Sequence, residues 1–290
     1  MSFQQIVPLS LAAASEKESW PKSNNIESSY GPPTSNSLLS SLTSLGHLNN
    51  QTVNTYSHLL GAVGFLALPF YFYWNVLPTQ PTARTADLVV VTVYCLGVAT
   101  CFVFSAIFHT LYNHSCVVAR YWNKLDYLGI LVLMWGAGVP TIYYGFVCNP
   151  HWQQLYWTTT TVTAVGCTIL TLNPVFGLPA FRGWRAALYA GFGLSSVIFV
   201  VHGLAAYGWD VQKSRMSLVW MGWMGTANLV GAVIYTARIP ERWAPVRFDI
   251  IGASHQILHV AVLVASSIHF FGLMAAFTAI HSLSNPCSSS

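Results

Sequence analysis

Two histidines four residues apart, His255 and His259, sit inside the apolar run Ser254-His255-Gln256-Ile257-Leu258-His259. Four residues of helix advance about 400°, so both imidazoles project from one face a single turn apart. That is the spacing of a helical metal-binding pair. In lipid two exposed imidazoles gain nothing, so the pair is expected to face a protein interior and to find a partner there.

The elements that must supply this partner follow from composition. The chain has 290 residues, of which 7% are charged and 54% hydrophobic, with a mean hydropathy of +0.51. A soluble domain carries about 25% charge, so this is the composition of a membrane protein. The net charge of +4 is small and its basic residues are scattered over loops rather than gathered in a stripe, so nothing points to a nucleic-acid partner. The six cysteines (Cys95, Cys101, Cys116, Cys148, Cys167, Cys287) show no CxxC spacing. They are expected to be core thiols rather than disulfides or a thiolate zinc site.

Residues 1–52 are rich in Ser, Asn and Pro and read as a soluble, partly disordered tail. The start, Met1 to Ala14, lacks a basic n-region and does not read as a cleaved signal peptide. A transmembrane domain is expected over residues 53–278, followed by a short C-terminal tail, 279–290. It contains seven apolar stretches near the ~20 residues that cross a bilayer as a helix. They cover approximately 55–77, 86–112, 122–146, 152–173, 184–207, 216–237 and 250–277. Pro78 and Pro81, Asn149-Pro150, Asn173-Pro174 with Pro179, Gly208, and Pro240 with Pro245 punctuate them. Backbone groups in lipid must be satisfied within each segment, which predicts an all-α, seven-helix bundle.

Loop charges set its orientation. Arg120, Lys124, Arg182, Arg185, Arg238, Arg242 and Arg247 lie on the side of the N-terminus, against Arg84, Lys213 and Arg215 opposite. This predicts a cytoplasmic N-terminus and an extracellular or lumenal C-terminus. The last helix then runs outward, placing His255 and His259 about 9 and 15 Å above its cytoplasmic start near Asp249. His109, near the cytoplasmic end of helix 2, and Asp126, near the start of helix 3, fall at matching depth.

His109, His255 and His259 would supply three nitrogen ligands, and a water would complete a tetrahedral zinc site. Nitrogen ligation by itself leaves copper, iron and nickel open. Asp126 would be either a direct ligand or, more economically, the partner that orients the metal-bound water and accepts its proton. Ser105, one turn before His109, would orient that ligand or donate to a substrate oxygen, unless it bonds its own i−4 carbonyl. His58, His202 and His269 lie in spans without an i,i+4 partner, and His47, His114, His151 and His281 near ends or in tails. These seven read as structural or interfacial.

Three blocks make the sequence similar to a known family: Asn54-Thr-Tyr-Ser-His58-Leu-Leu-Gly61; Ser105-x3-His109 through His114-Ser115 to Leu125-Asp126-Tyr127-x-Gly129; and Arg238-Ile-Pro-Glu-Arg242 leading to Phe248-Asp249 and Ser254-His-Gln-x-x-His259. The chain resembles the progestin and adipoQ receptor family, which includes the adiponectin receptors, fungal membrane proteins linked to zinc homeostasis and the haemolysin III proteins. The tail is more similar to the fungal members. The resemblance implies a seven-helix bundle with zinc held at His109, His255 and His259, and Asp126 associated with the zinc-bound water. The family usually has an acid where this chain has Gln51, and Gly-Tyr-Arg where it has Ser29-Tyr30-Gly31.

These readings predict a multi-pass protein of the plasma membrane or endoplasmic reticulum, with homo-oligomerisation left open. The expected activity is zinc-dependent hydrolysis of a lipid amide, with Asp126 and Ser105 as catalytic groups and ceramide the substrate that the resemblance implies. A receptor or lipid sensor with structural zinc is the alternative. A metal transporter ranks below both, because one buried site without a second across the membrane is a poor translocation path.

Overall fold

The computed structural model of the chain describes residues 37–176, 181–244, 246–283 and 287. Most of the predicted N-terminal tail, half of the C-terminal tail, Pro179 and Pro245 lie outside them. Among the described residues there is no strand. A short helix, α1 (Leu38–Thr43), precedes seven long ones of 20 to 34 residues: α2 (Thr52–Tyr71), α3 (Thr85–Leu111), α4 (Cys116–Gly145), α5 (Pro150–Leu172), α6 (Arg182–Arg215), α7 (Leu218–Ala237) and α8 (Ser254–His281). The molecule is an all-helical membrane bundle.

Six of the seven are long and apolar enough to span a membrane by length and composition. The other, α5, is long enough at 23 residues but rich in threonine. Several of its hydroxyls are satisfied within the helix: Thr160 donates to the Tyr156 carbonyl at 2.7 Å, Thr163 to Thr159 at 2.8 Å and Thr171 to Cys167 at 2.8 Å. Such bonding to the preceding turn lets a polar side chain sit in an apolar setting.

Local chemistry sets the helix ends. Asn149 caps α5 by accepting from Trp152 N–H, with Pro150 at the first position, where its missing N–H costs nothing. Ser115 caps α4 by accepting from Val118 N–H, so α4 starts at Cys116, earlier than the hydropathy minimum suggests. Gly208 does break a helix, with φ 77° and ψ 170°, but the chain resumes helical geometry to Arg215. Only glycine adopts that backbone without strain.

The core is centred on α3. Val91, Cys95, Val98 and Phe102 are fully buried between α2, α4 and α8. The α3–α4 crossing is close because small residues meet there: a Cβ on Gly129 would lie 2.8 Å from the Cys101 Cα. Without a hydrophobic drive between helices in lipid, such close backbone packing is a main source of helix association.

One acid in the spans is explained at the far end of the bundle. Asp87 is fully buried, accepts from Arg84 N–H at 2.8 Å and lies 3.2 Å from His281 Nε2. His281 thereby ties the end of α8 to the start of α3. The cysteines need a correction. Cys95, Cys101, Cys116 and Cys167 are free and buried as expected, but Cys148 and Cys287 form a disulfide. These two lie outside the apolar helices, 139 residues apart, and only the return of α8 beside the end of α4 brings them together.

Candidate metal centre

The opposite end of the bundle holds the histidines. His109 stands in the last turn of α3, and His255 and His259 in the first two turns of α8. The loop before α8 positions them. Glu241, almost wholly buried, accepts from Ser254 N–H at 2.8 Å and from the Ser254 hydroxyl. A carboxylate there satisfies first-turn N–H groups and opposes the positive end of the helix dipole. Gln256 accepts from Gly252 N–H at 2.6 Å and donates to the Ile250 carbonyl at 2.8 Å. The turn that presents His255 is therefore held from both sides.

The three imidazoles converge through their Nε2 atoms. His109 Nε2 lies 3.4 Å from His255 Nε2, which lies 3.2 Å from His259 Nε2. Ligand atoms from all three fall within 4.8 Å of one another and could hold a metal ion. The two separations from His255 fit, since nitrogens bound at 2.0–2.1 Å at tetrahedral corners are about 3.3–3.4 Å apart. His109 and His259 are buried and His255 half-buried, away from competing solvent.

Asp126 and Ser105 lie one turn deeper. Ser105 is buried on α3, four residues and so ~6 Å before His109. Its side chain neighbours the half-buried Asp126 carboxylate on α4. The close crossing at Gly129 keeps this pair together, because Asp126 precedes it by one turn. Tyr127, next to Asp126, stacks with Tyr189 at 6.0 Å between centroids, and the Arg185 guanidinium lies 6.0 Å from its ring.

Three neighbours of the histidines escaped the sequence reading. Gln51 Oε1 lies 2.6 Å from His109 Nδ1. His58, read as structural, stacks on His259 at 3.9 Å on one side and on Phe102 at 4.5 Å on the other. Tyr235 sets its ring 5.2 Å from His255. A signal for the first two existed: Gln51, Asn54 and His58 recur at intervals of three and four, the spacing of one helical face.

The sequence pattern of the haemolysin-III-related family matches residues 46–270, which include all three histidines. The chain belongs to this family. It is 37% identical to the adiponectin receptor protein of Drosophila melanogaster over 82% of its own length and 54% of that protein's. It is 34% identical to the ADIPOR-like receptor IZH1 of Eremothecium gossypii over 90% of this chain and 83% of the relative. The ADIPOR-like receptor IZH2 of Saccharomyces cerevisiae is similar at 34% identity, over 90% and 82%. The chain thus spans about half of the insect relative and more than four-fifths of the two fungal ones.

Proposed function

We propose that the chain is an intramembrane, zinc-dependent hydrolase of lipid amides. The observation that carries this reading is the convergence of three imidazoles, whose Nε2 atoms lie 3.4 Å (His109–His255) and 3.2 Å (His255–His259) apart, one turn from Ser105 and its neighbour Asp126. His109, His255 and His259 would hold the ion. Zinc in such a site supplies a Lewis acid that polarises a carbonyl and activates water near neutral pH.

The chain's own residues do the rest. Asp126 takes a proton from the attacking water on its carboxylate oxygen and delivers it to the amide nitrogen as the C–N bond breaks. The acyl carbon keeps the hydroxyl, leaving a fatty acid and an amine. Ser105 Oγ–H orients the Asp126 carboxylate or steadies the developing oxyanion. Ceramide is the substrate that the family resemblance implies for such a site. A cytoplasmic N-terminus, which the loop charges favour, would put the disulfide at the opposite end in an oxidising compartment, where such a bond persists.

The names of the relatives favour a second reading, a receptor or lipid sensor in which zinc ties α3 to α8. Metal analysis of purified protein together with lipid mass spectrometry separates the two. The hydrolase reading expects one zinc per chain and release of fatty acid from a ceramide panel. Asp126→Asn should keep the metal and lose roughly 10²–10⁴-fold in turnover, whereas His255→Ala should lose both. Metal bound with no turnover on any ceramide would leave the receptor reading standing alone.

A further inference from the structure

The segment before α2 does more than lead into it. Residues 37–51 form a strap across the histidine end of the bundle. Its attachments are specific: the Tyr56 hydroxyl donates to the Leu45 carbonyl at 3.0 Å, and Gln256 Nε2 donates to the Asn50 carbonyl at 3.2 Å. Asn49 accepts from Gln51 N–H at 2.8 Å and donates its own N–H to the Thr52 hydroxyl at 2.9 Å. Gln51 is thereby fixed at the end of the strap, above His109. A narrow cleft lined by Ser44, Gln51, Thr55 and His109 marks the junction.

We propose that Gln51 is a positioning residue for the metal: it selects the tautomer of His109 that presents Nε2 and couples the strap to metal occupancy. The proposal rests on the three-histidine metal reading. The Gln51 Oε1 atom, 2.6 Å from His109 Nδ1, also accepts from Asn54 Nδ2 at 3.2 Å. The Gln51 amide is thus oriented with its oxygen, not its NH₂, toward His109. A carbonyl oxygen only accepts, so Nδ1 carries the hydrogen and the Nε2 lone pair is left for a cation. The second attachment closes a loop of contacts, because Gln256, which holds the Asn50 carbonyl, is the residue next to His255. The strap thus touches both helices that carry ligands.

Two consequences follow. Outer partners of ligating histidines set metal affinity, and their loss typically costs ~10–100-fold. Gln51 is a neutral acceptor, and bonds to a charged acceptor are roughly twice as strong. A carboxylate in its place should make His109 the better ligand. Because binding linkage is reciprocal, a metal that strengthens the His109–Gln51 bond must also order the strap.

The test uses full-length protein in lipid nanodiscs, zinc titrated against a competing chelator, and amide hydrogen exchange of residues 44–52 with and without zinc. Gln51→Ala should bind zinc ~10–100-fold more weakly than the wild type. Gln51→Glu, which retains an acceptor and guards against misfolding, should bind at least as tightly as the wild type. Zinc should slow exchange of the strap in the wild type and in Gln51→Glu but not in Gln51→Ala. Affinity of Gln51→Ala within twofold of the wild type, with His255→Ala unable to bind, would overturn the positioning role while leaving the metal site intact. A wild-type protein that takes up no divalent metal would instead sink the metal reading and this proposal with it.

Discussion

The α3–α4 crossing offers the sharpest way to separate catalysis from a structural metal. A Cβ built on Gly129 would sit 2.8 Å from the backbone Cα of Cys101, about 0.6 Å inside the 3.4 Å at which ordinary contact begins. Backbone has no rotamer to change, so Gly129→Ala must push the two helices apart. Overpacking of this kind costs about 1–3 kcal/mol. Its geometric effect is selective. Asp126 and Gly129 move with α4, whereas His109 and Ser105 stay with α3 and the other two histidines with α8. The three imidazole nitrogens keep their mutual spacing while the carboxylate withdraws. A misplacement approaching 1 Å at a reacting group costs on the order of 10²-fold in rate. Gly129→Ala, assayed in nanodiscs, should therefore retain zinc stoichiometry, lose modest thermal stability and lose roughly 10²-fold in ceramide turnover. Gly166→Ala on α5, where nothing lies within 4 Å, is the control and should change neither. If Gly129→Ala matched the wild type in both stability and turnover, the inference from close helix approach to catalytic alignment would be wrong.

Two further outcomes test the supports of the site. Glu241→Ala leaves Ser254 N–H and its hydroxyl without their acceptor and should cost about 1–3 kcal/mol, with weaker metal binding as the first turn of α8 frays. Glu241→Gln, which keeps an acceptor, should lose less; equal losses in the two variants would show that capping is not what Glu241 contributes. At the other end, non-reducing electrophoresis should show a reductant-dependent mobility change in the wild type that is absent in Cys148→Ser. An identical pattern in both proteins would rule out the Cys148–Cys287 link.

The number of long helices, the membrane setting and the histidine pair were all readable from residue order. They depend on local quantities: runs of apolar side chains, the cost of unpaired backbone in lipid, and the fixed angle per residue of a helix. His109 could be brought to that pair as well, because depth in a bilayer converts a position in the chain into a coordinate. Helix ends were less legible. The Ser115 cap outweighed polar residues at the start of α4, and Gly208 interrupted α6 without ending it.

What sequence alone determined was which residues share a depth and which share a helix face. What only the tertiary structure decided was which faces meet. The Gln51–His109 bond spans 58 positions, the Asp87–His281 pair and the Cys148–Cys287 link many more, and His58 reaches His259 only because α2 packs beside α8. No local periodicity encodes such pairings. They follow from how helices rotate and approach one another, which small residues such as Gly129 permit and the whole set of packed side chains selects.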